Sequence, residues 1–366
     1  MKRVKTSELR EGMIARESVF VPDSIVPIVH EDTVLNSHIL DLFSLHGITS
    51  VFANDPCEAD TEILPEVKPI IDEKLRDEAL GSIRRMFTIV KAGTSEENMT
   101  TAYQAVKEIG DVVDELVDAL SAEVSDLVHI TGIKSYDDYT YHHSLSVAVL
   151  SIAIARSLDL SDEDQKDIGR SAMLHDIGKT LLPVELINKP GKLTDSEFEI
   201  IKTHPILGFD YLIGLNVVSE SILSGVLLHH AKLDGTGYPP RKKRDALPFY
   251  SRIIAIADVY DAITSYRSYR KPMPPADALE LIMGEPGFDC DIVRAFIEKL
   301  EPYPINTRVE LSNKKRGIVL EYSNPRRPVI QIRDSGALVD LMDWKNLNLV
   351  ITGVEFENSE ELGVGG

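Results

Sequence analysis

Six of the chain's ten histidines, His142, His143, His175, His204, His229 and His230, fall between positions 142 and 230. Neutral imidazole with carboxylate is the ligand set that iron, manganese, zinc and nickel accept, and Cys290 is the sole thiol of the wider region. His175 and Asp176 are neighbours in SAMLHDIGKTLLP, behind the apolar run Ala172, Met173, Leu174. A carboxylate buried beside an imidazole is costly unless something charged neutralises it, and its two oxygens can face two cations. If the segment is helical, Lys179 shares a face with His175 and Asp176; a lysine there can hold a phosphate or assist a leaving oxygen. His229 and His230 lead into the glycine-rich AKLDGTGYPP, His204 opens HPILG, and Asp258 ends an apolar run ahead of Arg267, Arg270 and Lys271. Each has a plainer reading taken singly: a core histidine, a helix-capping aspartate, a solvated helix end. Together they favour a transition-metal site. Gly178-Lys179-Thr180 is no P-loop, which would need glycine where Met173 stands.

These residues need a scaffold. Apolar positions recur at helical spacing from Ile71 to Val90 and from Tyr103 to Leu127, the pattern of amphipathic helices. The stretch from about 131 to 300 is also mainly helical, with start signals at Ser161 with Asp164 and Thr194 with Glu197. Residues 1–56 alternate short apolar runs with turn residues around one helix near His38 to Leu45. After Pro302 and Pro304 the β-branched runs 308–311, 317–320 and 328–332 read as strands. The expected class is mainly α: an all-helical metal-binding domain with a small β-rich N-terminal module and a short C-terminal β segment. The expected boundaries are 1–58 for the module, 59–118 for a helical connector, 119–303 for the catalytic helical domain and 304–366 for the β segment and tail.

Composition narrows the class further. The 366 residues, 43% hydrophobic and 27% charged, are ordinary for folded domains. A net charge of −20 argues against binding duplex nucleic acid by charge neutralisation. No apolar run is long enough for membrane insertion and no signal core follows the N-terminus, so a cytoplasmic location is expected. Cys57 and Cys290 indicate neither a disulfide framework nor a thiolate zinc site. Trp344 is expected to pack within the β segment, and His30, His38, His46 and His129 to be structural.

Several ordered blocks now carry a resemblance: YTYHHSLSVAV (139–149), HDIGK (175–179), HPILG from His204, HHAKLDGTGYP (229–239) and ADVYDAITSYRSYRK (257–271). The chain resembles the HD-GYP family of metal-dependent phosphodiesterases within the HD superfamily. The resemblance implies that His143, His175, Asp176, His204, His229, His230 and Asp258 hold metal, with Asp176 bridging two ions. It further implies that Lys179 touches the scissile phosphate, that Arg267 and Arg270 grip the other phosphate or a guanine, and that Gly237, Tyr238 and Pro239 shape the pocket. Two departures stand out. Ala231 occupies the place of the family's usual glutamate after the paired histidines, and Tyr139 the place of the glutamate associated with a third metal.

The expectation that follows is a cyclic di-GMP phosphodiesterase using two divalent ions, iron or manganese ahead of zinc, and releasing linear 5′-pGpG with slow onward cleavage to GMP. A catalytically weak cyclic-dinucleotide receptor or scaffold is one competitor, kept alive by Ala231. An HD-superfamily phosphohydrolase or di-iron oxygenase with another substrate is the other. The helices of 69–130 could serve a homodimer or partner signalling proteins, although ordinary core packing ranks ahead.

Overall fold

In the computed structural model, residues 2–16, 18–21, 27–31, 33–54, 69–122, 139–189, 191–240, 247–265, 272–324 and 326–355 are described. The protein is mainly α, and the chain divides into two units. The first takes residues 1–66, 305–321 and 329–366, and the second 67–304 and 322–328.

At the N-terminus, strands β1 (Lys2–Lys5), β2 (Ile14–Ala15) and β3 (Ser50–Asn54) form an antiparallel sheet in the order β1-β3-β2. Helix α1 (Ser37–Leu45), capped by the Asn36 side chain, buries Phe43 among Val4, Ala15, Leu35 and Val51. Alternation of side chains along short strands gives the sheet one apolar face.

The helical unit begins with α2 (Glu73–Lys91) and α3 (Glu96–Ala122). These are the helices of the stretch read as a connector, and their apolar stripes pack into the same core as the helices that follow. On α3 the buried stripe is Ala102, Ala105, Ile109, Val113, Leu116 and Leu120. Tyr103, expected on it, is instead exposed, because one residue beyond Ala102 lies about 100° round the helix. The remaining helices are α4 (Tyr139–Ser157), α5 (Asp162–Leu174), α6 (Val184–Ile187), α7 (Asp195–Ile201), α8 (His204–Leu215), α9 (Glu220–Leu228), α10 (Phe249–Thr264), α11 (Pro275–Met283) and α12 (Cys290–Lys299).

Helices α4 and α10 are apolar on nearly every side and lie at the centre of the unit. Leu145, Val147, Ala148, Leu150 and Ile152 are fully buried on the first, and Ile253, Ile254, Ile256 and Ala257 on the second. A helix apolar all round belongs in the middle of a bundle. The start signals hold: Ser161 accepts from the Asp164 amide, and Thr194 with Glu197 forms a complete capping box.

The C-terminal strands β4 (Arg308–Leu311), β5 (Arg316–Asn324), β6 (Arg327–Ile332), β7 (Leu338–Asp340) and β8 (Ile351–Glu355) make a sheet of order β7-β6-β5-β4-β8. Its core is Val309, Leu311, Ile318, Val319 and Ile330. Trp344 does not join it. The side chain is 76% exposed on a short 3-10 turn, with Lys345 Nζ 5.6 Å from the ring centroid. Among the described residues, no helix is long and apolar enough to cross a membrane.

Helices α5 and α9, whose ends carry His175 and His229, meet at Gly225. A Cβ there would collide with Ser171 Oγ, which donates to the Ile222 carbonyl, and would come within 3.0 Å of Ile254 Cδ1. Gly225→Ala should therefore force these helices apart and cost about 1–3 kcal/mol, read as a lower urea midpoint at unchanged m-value.

Candidate metal centre

His143 lies in the second turn of α4, while His175 and His229 directly follow the last residues of α5 and α9. His204 is the first residue of α8, and Asp258 lies inside α10. Asp176 starts a short 3-10 turn, Ile177–Leu181, but its side chain caps nothing. The capping explanation for this aspartate fails, and the one for Asp258 fails because it is mid-helix.

Three imidazoles are anchored in one manner. His175 Nδ1 is 2.6 Å from the Ala172 carbonyl, His204 Nδ1 is 2.8 Å from that of Ile201, and His229 Nδ1 is 2.7 Å from that of Val226. A carbonyl only accepts, so each Nδ1 donates and each Nε2 keeps its lone pair. Those lone pairs converge. His204 Nε2 lies 3.1 Å from His229 Nε2 and 3.2 Å from Asp176 Oδ1, and His175 Nε2 lies 3.4 Å from Asp176 Oδ2. The His175 Nε2 and Asp176 Oδ1 atoms are buried without a hydrogen-bond donor. Electron-rich atoms this close, sealed from water, call for a cation between them, and the donors present fit one: five imidazoles and two carboxylates approach within ligand-sharing distance. The cluster has the make-up of a metal site.

Asp176 divides it. Oδ2 faces His175 and His143, the latter at 3.6 Å, whereas Oδ1 faces His204 and His229. The donors accordingly group as His143, His175 and Asp258 on one side and as His204, His229 and His230 on the other, with Asp176, His175 and His229 close enough to join the two. His230 Nδ1 and His143 Nε2 both approach Asp258, at 3.5 and 3.1 Å. Every member is buried except His230, whose side chain keeps 22% of its surface, and the neighbouring Lys179 keeps 29%. Solvent and ligand therefore approach past these two.

Charge is arranged to match. Burial alone would raise the Asp176 carboxyl, but the Lys179 ammonium, 2.5 Å from Oδ2, holds it well below the ordinary carboxylate range. Burial likewise acts against the Asp258 anion and is outweighed by the hydrogen bond from His143. Burial pushes His230 down to about 3 and, with the neighbouring imidazoles, holds His229 far below its usual value, so both are neutral ligands at pH 7. His143 goes the other way. Burial would lower it, but hydrogen bonds to Asp258 and Asp261 raise it to about 9.

Asp261 escaped the sequence reading. Its Oδ2 lies 2.7 Å from His143 Nδ1, and it sits one helical turn after Asp258 on α10. That three-residue spacing within DVYDA was the available signal.

The glycines explain how backbones come close enough. A Cβ at Gly178 would collide with the His204 carbonyl oxygen and lie 2.6 Å from the Gly208 nitrogen, so only glycine lets the 3-10 turn rest on α8. A Cβ at Gly237 would collide with the His230 carbonyl oxygen, and that carbonyl accepts from the Tyr238 amide at 3.1 Å. The Tyr238 ring packs on the His230 ring at 4.5 Å between centroids, followed by Pro239 across a cis peptide bond. Ala231 is buried with Leu228 and Leu247 beneath this loop. Arg267, Arg270 and Lys271, together with the basic run 241–244, lie outside the described residues. His142 is half-buried and belongs to none of the donor groups; His30, His38 and His46 are exposed and far from them in sequence, and His129 is outside the described residues.

The chain is similar to known proteins over the segment that carries these donors. Residues 128–292 match the family model described as HD domain. A cyclic di-GMP phosphodiesterase of Pseudomonas aeruginosa is 39% identical over 212 residues, covering 58% of this chain and 51% of that protein. A cyclic di-GMP phosphodiesterase of Thermotoga maritima is 38% identical over 168 residues, 45% of each chain. A 3′3′-cGAMP-specific phosphodiesterase of Vibrio cholerae is 39% identical over 144 residues, 39% of this chain and 31% of that one. The matches span about half or less of the length of these relatives.

Two outcomes follow from the geometry. With His143 raised to about 9, a metal ion must displace its Nε2 proton at neutral pH. Metal affinity should therefore rise about tenfold per pH unit below 9 and level off above it, as measured by chelator competition. Gly178→Ala should abolish tight metal binding while the far-ultraviolet circular dichroism stays helical.

Proposed function

We propose that the chain, whose residues 128–292 match an HD domain, is a metal-dependent phosphodiesterase of the HD-GYP branch that hydrolyses cyclic di-GMP to linear 5′-pGpG. The observation that carries the reading is the division of donors by Asp176, one oxygen toward each group of imidazoles. Two divalent ions held by His143, His175, Asp176, His204, His229, His230 and Asp258, iron or manganese on a donor set without sulfur, would supply Lewis acidity and an activated water for in-line attack on phosphorus.

The chain's own groups do the rest. Asp176 supplies the shared anion. Lys179, now paired with Asp176 and partly exposed, is placed to turn its ammonium toward a phosphoryl oxygen entering past His230. Tyr238 stays a neutral phenol, because burial and the nearby Asp258 and Asp176 carboxylates push it well above its ordinary range. It can therefore offer a hydrogen bond or a ring face to the substrate, with Gly237 and Pro239 fixing its loop. Arg267 and Arg270 are assigned to the second phosphate or a guanine on the strength of the resemblance. Two ions rather than three fit Tyr139, which puts no carboxylate at the head of α4, and two favour stopping after the first cut. The cytoplasm is the compartment where such a substrate would be met.

A second reading, a cyclic-dinucleotide receptor that turns over slowly or not at all, draws on Ala231, which offers no polar atom beside the histidine pair.

The decisive experiment is purification without oxygen, metal quantification, and incubation with cyclic di-GMP and with 3′3′-cGAMP, with and without added iron or manganese. Linear dinucleotide should appear only with metal and disappear in His175→Ala and Asp176→Ala, and Lys179→Ala should lower kcat about 10²–10³-fold. GMP as the early major product would contradict the first-cut reading. Tight binding without turnover under every metal would make the protein a receptor, and oxygen consumption without phosphodiester cleavage would place it among the oxygenases.

A further inference from the structure

We infer that Asp261 is a positioning residue for the metal centre: it fixes the tautomer and direction of the His143 ring and so controls the ion on that side of Asp176. The inference rests on the two-metal reading and extends it to a residue outside the ligand set.

The reason lies in where each histidine sits along its helix. The carbonyls of Ala172, Val226 and Ile201 belong to the last turns of α5, α9 and α7. The final carbonyls of a helix have no amide to accept from within it, so they are available to orient His175, His229 and His204. His143 lies within α4, where the carbonyls before it serve the helix ladder. An acceptor must come from another element, and α10 supplies it. Asp258 and Asp261, three residues apart, put both carboxylates on the side facing α4. Asp258 Oδ1 lies 3.1 Å from His143 Nε2 and Asp261 Oδ2 lies 2.7 Å from Nδ1.

Asp261 is 1% exposed, and its other oxygen accepts from Ser265 Oγ at 3.2 Å. Both oxygens are thereby held, and the carboxylate cannot swing away. An ionised carboxylate only accepts, so Nδ1 keeps its proton, and the Nε2 proton directed at Asp258 is the one that an ion on that side would displace. A carboxylate also adds a full charge behind the ring, which the carbonyl partners of the other three histidines do not, and such partners strengthen a histidine ligand.

The test is a manganese titration of metal-free protein, read as stoichiometry and site affinity, on wild type, Asp261→Asn and Asp261→Ala. Imidazole ¹⁵N spectra are recorded on the same three proteins. Asparagine keeps the volume and an accepting oxygen but removes the charge. Asp261→Asn should weaken one of two sites about 10–100-fold and leave the other unchanged, with the Nδ1–H signature of His143 retained. Asp261→Ala should weaken that site further and lose the signature. Unchanged affinity at both sites in Asp261→Ala would overturn the inference, as would an equal loss at both sites in Asp261→Asn in step with its thermal midpoint. A wild-type stoichiometry of one would sink the two-metal reading alone, leaving Asp261 to be judged by the change at that single site.

Discussion

A carboxylate sealed almost completely from water governs the architecture of the helical unit. Taking such a group out of water costs several kcal/mol even after relaxation, so Asp176 is tenable only within a shell that returns the interaction energy. Lys179 provides part of that shell, and the inward-turned imidazoles provide a place where cations can provide the rest. The other arrangements serve this one. Helix ends stop where their spare carbonyls can turn His175, His204 and His229, and glycines stand where a side chain would hold the backbones apart. Two helices apolar on nearly every side carry His143 and Asp258 to the centre.

This explains what could be read from the sequence and what could not. The clustered donors were legible because they are concentrated, lie in motif blocks, and sit beside apolar runs that predict burial. The helices were legible from periodicity, and the β segments from alternation and β-branching. Asp261 was not, since its meaning depends on a partner 118 residues upstream and its own neighbourhood reads as one more acidic residue on an apolar helix. Tyr103 and Trp344 were misjudged for a related reason. Both are large and apolar enough to suggest burial, but one is a single step off the buried stripe and the other sits on a turn beyond the sheet's inner face. Gly237 was expected to shape the pocket, and its tightest demand is the His230 backbone.

The GYP segment accordingly has a structural duty alongside any duty toward substrate. It is hydrogen-bonded to the backbone of a ligand histidine, and the Tyr238 ring lies over that histidine's ring. Substitutions in it will perturb the metal centre before they alter recognition, and the two effects separate only if metal content is measured alongside turnover. Ala231 lies in the same packed corner, where its neighbours Leu228 and Leu247 leave an apolar setting that suits a methyl group and would penalise a charge.

The donors are drawn from α4, α8 and α10 and from the ends of α5 and α9, so the centre gathers chain segments widely separated in sequence. Ions held among them would be cross-links through the middle of the bundle. Like a covalent bridge, each would remove conformational freedom from the opened chain, and its binding energy would be counted in the stability of the closed one. A protein with only two cysteines would gain by coordination the kind of internal tie that disulfides give elsewhere, in a form that chelation can withdraw and metal restore.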